Sequence, residues 1–175
     1  MPPNSLISLK SALNVAERQG YAVGSFAPRY TPMIAPILRA GERARSPLIV
    51  QISQREMARY VAAEFSRAFL RALDREGTTV PIVLHLDHTF DLPVIQAAIA
   101  AGFTSVMIDK SAAPFEENVR ATREVVDYAH ARGVSVEAEL GKIGTTDFVE
   151  TEEDEEHFTD PDEAGCFVAE TDSSA

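Results

Sequence analysis

The sequence is short of cysteine: Cys166 is the only one among 175 residues, which excludes an intramolecular disulfide framework. It is also short of long apolar runs. Hydrophobic residues make up 45% of the chain, yet no stretch is long enough to span a bilayer. The opening Met1-Pro2-Pro3-Asn4 lacks the basic and apolar regions of a secretory leader. A soluble, cytoplasmic protein without a membrane partner is expected. Positive charge is missing from the last segment, where residues 147–175 hold twelve acids and no Lys or Arg. Residues 1–146 hold the other fifteen acids and all 16 bases, so the body is close to neutral despite a net charge of −11. No basic face for nucleic acid follows from such a distribution. The run TEEDEEHFTDPDE reads as a solvated loop (145–160) or helix start, with a cation-binding loop as the other reading. A GxGxxG is absent after the first strand, which argues against dinucleotide binding.

What is present is alternation. Strand-like runs stand at 21–27, 47–53, 81–87, 105–109 and 134–140. Helical spacing occupies 31–44, 55–75, 91–101, 114–133 and 160–171. Thr31 reads as an N-cap with Pro32 at the first helical position. Strict alternation of strand and helix predicts an α/β fold with a parallel sheet and right-handed crossovers, in one domain over 1–175. The near-continuous apolar strands predict burial on both faces. Both an open doubly wound sheet and part of a (β/α)8 TIM barrel satisfy this pattern. Polar residues gather at the strand C-terminal ends: Ser53, Asp87 with His88, Asp109, then Glu137 and Glu139. Ligand sites lie at that end in both folds.

The segment VLHLDHTFD carries the densest chemistry. Strand alternation places His85 and Asp87 on one face and His88 on the other. If Asp87 and His88 serve one site, the strand must end and turn there. His88 suits a divalent metal, and a carboxylate beside a metal-bound carbonyl suits proton transfer. A His–Asp pair closing a helix N-terminus is the alternative. Asp109, Glu137 and Glu139 each end or approach the end of a strand, where an ionised carboxylate needs a partner. Asp109 also suits a cap on the next helix, because Ser111 and Pro114 follow. His85 is either a partner that orients the site or a packed core histidine. His130, late in a helix, reads as structural. His157, with Glu155, Glu156 or Asp160, is a weaker metal-site candidate. Cys166 reads as a small buried helix residue.

Together, HLDH (85–88), AGFTSVMID (101–109), PFEENVRATREVVDYAHARGVSVEAELG (114–141) and FTDPDEA (158–164) resemble the class II, metal-dependent ketose-bisphosphate aldolases. SLKSALNVAERQGYAVGSF and SPLIVQIS fit as well. The resemblance implies a zinc-dependent TIM barrel that reversibly cleaves a fructose or tagatose bisphosphate into dihydroxyacetone phosphate and an aldehyde phosphate. His88 would then be a zinc ligand, with Asp109 and Glu139 near the metal and able to hold it in an alternate place. Asp87 would donate and accept the proton at the hydroxyl of the bond being cleaved. Ser53 matches a substrate-contacting serine. A homo-oligomer, dimer or tetramer, is expected. From residue types alone, manganese, iron or cobalt would serve as well as zinc.

Departures from the family pattern are also visible. Five strands are present where the barrel has eight, and FVAETDSSA lacks the Gly-Val of the family's FVxxTGVDSLA. The family's two further zinc histidines and its phosphate loops fall beyond that point, so an incomplete, non-catalytic half-barrel binding module is the alternative expectation. After the first strand the chain reads SFAPRY, with Ala27 where the family often has Asn. Arg29 has the charge and fork to reach a phosphate instead. The family's loop acid after strand five falls at Asp147, one carbon shorter than the usual Glu.

Overall fold

The computed structural model describes residues 5–141 and 159–174. Helix α1 (Leu9–Gln19) precedes strand β1 (Gly24–Phe26). Then follow α2 (Ile34–Ala44), β2 (Leu48–Ser53), α3 (Ala62–Glu76), β3 (Ile82–Asp87), α4 (Leu92–Ala100), β4 (Ser105–Ile108), α5 (Phe115–His130), β5 (Ser135–Ala138) and α6 (Pro161–Thr171). All five strands are parallel, in the order β1-β2-β3-β4-β5. This order has no switch point, and a doubly wound sheet requires one. Single winding of right-handed crossovers sets the intervening helices on one face, as in a segment of a TIM barrel.

The two faces of the sheet differ. Leu48, Val50 and Ile52 of β2, Ile82, Leu84 and Leu86 of β3, Val106 and Ile108 of β4 and Val136 of β5 join one core with Phe65 and Phe69 of α3, Ile95 of α4 and Val125 of α5. That is the outer, helix-covered face. The alternate residues Gln51, His85, Ser105 and Ser135 fall in one row across the inner face. At the N-terminal end of that face, Leu9 and Ala12 of α1 pack on Ile49 and Val83. Helix α1 lies in a region left without an element by the periodicity reading, because its apolar stripe closes one end of the sheet and belongs to no β/α unit. It begins at Ser8, whose side chain accepts from Ser11 N–H.

Thr31 is a correction. It is the first residue of a 3-10 turn, Thr31–Met33, preceded by Tyr30 without a side-chain cap, and α2 starts only at Ile34. Met33 N–H bonds to Tyr30 carbonyl at 2.9 Å, so the backbone satisfies the donor that a Thr31 cap would have served. Strand β1 is exposed along its length. On the other edge, Ser174 N–H donates to the Val136 carbonyl at 2.7 Å and Ser174 Oγ accepts from Val136 N–H at 3.3 Å. Cys166 is exposed on α6, another correction: the buried side of that helix is Phe167 and Thr171, and Cys166 lies off it. Among the described residues, no helix is long and apolar enough to cross a membrane.

Candidate active site

The site grows from the end of β3. His85 and Asp87 face inward, as alternation requires. The next residue breaks the alternation: His88 has φ +40°, a left-handed conformation that costs a non-glycine residue about 1–2 kcal/mol. Three contacts hold this turn. Asp109 N–H donates to Thr89 carbonyl at 2.8 Å, Gln54 N–H donates to Asp87 carbonyl at 3.2 Å, and Gln54 Oε1 accepts from Phe90 N–H at 2.7 Å. The turn swings the imidazole to the inner side, where His88 Nδ1 lies 3.2 Å from Asp109 Oδ2 and 3.6 Å from Glu139 Oε2.

Asp109 divides its carboxylate between two tasks. Its Oδ1 accepts from Ser111 N–H at 3.2 Å and Ser111 Oγ–H at 2.8 Å, while Oδ2 faces His88. The capping reading is a correction: Asp109 closes a local turn with Ser111, while α5 begins at Phe115 behind Pro114 without a side-chain cap. Glu139 lies just past β5. Its carbonyl accepts from the buried Asn118 Nδ2 at 2.8 Å, and Asn118 is braced by Thr122 Oγ1 at 3.2 Å, so α5 holds the end of β5 in place.

One ligand atom each from His88, Asp109 and Glu139 falls within 4.8 Å of the others. One imidazole nitrogen with two carboxylates is a donor set for a first-row divalent ion, zinc included. The local electrostatics point the same way. Burial raises the Glu139 pKa and the Asp109 charge adds to the rise. Burial alone would lower the His88 pKa, but the hydrogen bond to Asp109 and the charges of Asp87, Glu139 and Asp109 lift it above the ordinary value. Two half-buried carboxylates repel each other, and a positive charge between them relieves this.

A second cluster lies beside the first. His85 is buried, with Nδ1 at 2.9 Å from Ser105 Oγ and Nε2 at 3.3 Å from Glu137 Oε2 and 3.9 Å from Asp87 Oδ1. His85 is therefore both packed and polar-partnered. Asp87 Oδ2 accepts from Gln51 Nε2 at 2.7 Å, and Gln51 Oε1 accepts from Ser25 Oγ. Burial raises the pKa values of Asp87 and Glu137, with Glu56 and Asp109 adding to the first and Asp87 to the second. Gln51, Gln54, Ser25, Ser105 and Asn118 escaped the sequence reading. The only signal for Gln51 was a polar residue within an otherwise apolar strand.

Burial, with the His88 charge adding to it, lowers the His85 pKa from 6.5 to about 4. The unfolded chain then binds the proton that the folded one refuses between those values. Stability contributed by neutral His85 is full above pH 6.5 and lost as pH falls toward 4. The displacement corresponds to about 3 kcal/mol. The raised carboxylates act with the opposite sign, so the comparison needs a variant. Urea unfolding at neutral and acid pH should show a steeper acid loss for the wild type than for His85→Gln. Equal pH slopes would rule this out.

Ser53 ends β2, and its N–H and hydroxyl both donate to Glu56 Oε2, at 3.0 and 3.2 Å. Among the described residues, no side-chain hydrogen bond joins Ser53 to the histidine cluster. Arg29 is exposed in the loop after β1, at the same end of the sheet. Asp147, His157 and most of the acidic loop lie outside the described residues. His130 ends α5, with Nε2 at 3.2 Å from Ser174 Oγ and Nδ1 at 3.7 Å from Asp172.

The model of the family described as fructose-bisphosphate aldolase class-II matches residues 7–175. The chain belongs to the class II fructose-bisphosphate aldolase family. Members of this class are generally metal-dependent, which agrees with the His88–Asp109–Glu139 donor set. The fructose-bisphosphate aldolase of Geobacillus stearothermophilus is 49% identical over 142 residues, covering 80% of this chain and 49% of the relative. That of Giardia intestinalis is 41% identical over 163 residues, covering 93% of this chain and 50% of the relative. The chain thus spans about half the length of the relatives it matches. In solved structures, the YdjI aldolase of Escherichia coli K12 superposes with a TM-score of 0.81 at 32% identity, covering 96% of this chain and 59% of that one. A putative fructose-1,6-bisphosphate aldolase from Coccidioides immitis gives 0.79 at 34% identity, covering 97% and 58%.

Proposed function

We propose that the chain carries the cation-binding and proton-transfer part of a zinc-dependent aldolase. Its reaction is the reversible cleavage of a ketose 1,6-bisphosphate, fructose or tagatose, into dihydroxyacetone phosphate and glyceraldehyde 3-phosphate. The observation that carries this reading is the convergence of His88, Asp109 and Glu139 beside an Asp87 that is held apart from them. His88, Asp109 and Glu139 would hold the cation. When bound, a divalent cation supplies Lewis-acid polarisation of the substrate carbonyl. Asp87 takes the proton from the C4 hydroxyl as the C3–C4 bond breaks, and returns it in the condensation direction. Its burial raises the pKa, which strengthens it as a base. Neutral His85 donates from Nε2 toward Glu137 and accepts from Ser105 at Nδ1. Arg29 and the Ser53 hydroxyl are assigned to substrate phosphate and substrate contact, the latter after release from Glu56. Asp147 is assigned to proton exchange from the loop after β5.

Zinc-loaded protein should release triose phosphate from fructose 1,6-bisphosphate, and Asp87→Asn should lower that rate about 10²–10⁴-fold, the span of general acid–base catalysis. Cleavage that is unaffected by Asp87→Asn would exclude the assignment. A second reading has one observation in its favour, the exposed β1, which among the described residues pairs only with β2. An unpaired strand edge invites another chain. On that reading the protein is a half-barrel module that binds metal without cleaving sugar phosphates, and absence of triose phosphate would support it. A cytoplasmic dimer or tetramer fits either reading.

A further inference from the structure

On the proposed function, Asp87 stays free for substrate while its neighbour, His88, would hold the metal. A carboxylate beside a half-buried cation site is itself a good ligand. Yet Asp87 is not among the residues whose ligand atoms gather within 4.8 Å. One side-chain contact fixes the direction of its carboxylate. Gln51 lies opposite His85 in the β2–β3 register, with Ser53 opposite Asp87, so Gln51 reaches Asp87 along a diagonal. The next diagonal step leads to Ser25, which pairs with Ile49, two residues before Gln51. Ser25 Oγ donates to Gln51 Oε1, which orients the amide with its nitrogen toward Asp87. Gln51 Nε2 then donates to Asp87 Oδ2 at 2.7 Å. Among the described residues this is the only side-chain hydrogen bond to the Asp87 carboxylate. His85 Nε2, 3.9 Å from Oδ1, is beyond hydrogen-bond range.

We infer that Gln51, oriented by Ser25, is a positioning residue that keeps Asp87 out of the metal's ligand set and so reserves it for the substrate hydroxyl. This rests on the cation site proposed above. An amide suits the task better than a charged residue. It donates to the carboxylate without contributing a charge that would compete with the cation or repel Asp87. His88, Asp109 and Glu139 bring two negative charges to a divalent ion, so the site is charge-balanced without Asp87. Released from Gln51, the Asp87 carboxylate keeps the His88 backbone N–H and is free to turn toward the cation.

The test uses the whole chain with Gln51→Met, which keeps side-chain length and removes the donor. Zinc affinity should tighten about three- to tenfold as a further carboxylate joins the set. With cobalt as probe, the visible absorption band should change shape as coordination number rises. Any aldol cleavage should fall in kcat with KM little changed. The tightening should vanish when Gln51→Met is placed in an Asp87→Asn background, which separates displacement of Asp87 from general loosening of the strand. Ser25→Ala, at an exposed position, should shift affinity in the same direction by less, and it serves if Gln51→Met does not fold. Zinc affinity and cobalt spectrum identical to wild type in the folded variant would overturn the inference while leaving the metal site standing. Absence of His88-dependent metal binding in the wild type would overturn both.

Discussion

His88→Ala is expected to weaken divalent-cation binding by more than about a hundredfold, because even partners that only orient a ligand are worth about 10- to 100-fold. The imidazole is the only nitrogen in the trio with Asp109 and Glu139. Without it, two like-charged carboxylates remain, one of which already spends an oxygen on Ser111. The measurement is zinc content after dialysis against metal-free buffer. The wild type should retain about one zinc per chain, a stoichiometry set by one catalytic-type site, and His88→Ala should retain none. Cys166 is exposed and thiolate is a good zinc ligand, so Cys166→Ser belongs in the comparison. Equal zinc in His88→Ala and wild type would remove His88 from the site and with it the proposed chemistry.

The largest stability effect is expected at Phe65, where truncation to Ala should cost about 3–5 kcal/mol. Phe65 is fully buried on α3, with ring centroids 6.4 Å from Tyr60 and 6.3 Å from Phe103. A domain of ordinary stability has only about 5–15 kcal/mol in total, so this one side chain accounts for a large share. Urea denaturation should show the midpoint falling accordingly. Leu70→Ala on the same helix, at a 37% exposed position, should change stability by less than about 1 kcal/mol, in line with surface substitutions. A Phe65→Ala loss as small as that of Leu70→Ala would mean that the α3 face does not organise the core. The site depends on that face indirectly. Phe65 and Phe69 pack with Val50, Ile52, Leu84 and Leu86, the outward residues that set the register by which Gln51 reaches Asp87.

Strands β2 to β5 and the helices between them were legible because each element carries its own period: apolar runs bounded by Gly and Pro for strands, three-to-four spacing for helices. Helix α1 was not, since an end-plug obeys no unit repeat. Helix composition does not reveal which side a neighbouring element will cover, so Cys166 reads as buried in the sequence and is exposed in the structure. At the site, the residue types of His88, Asp109 and Glu139 and their positions at strand ends were readable, as was the need for a turn after Asp87. Gln51 and Ser25 were invisible, since neither residue type nor spacing marks an amide for a carboxylate on the next strand.

The sequence by itself determined the alternation of strand and helix, the gathering of polar groups at strand C-termini, and the adjacency of a carboxylate and a histidine at 87–88. These follow from local chemistry, in which each residue acts through its own backbone period. Only the tertiary structure decided that the sheet is wound in one direction, that a left-handed His88 brings its imidazole to Asp109 and Glu139, and that Gln51 donates to Asp87. Those outcomes depend on register between strands far apart in the chain. Register is set by which apolar side chains interlock under the helices, a many-body packing choice that no single segment encodes.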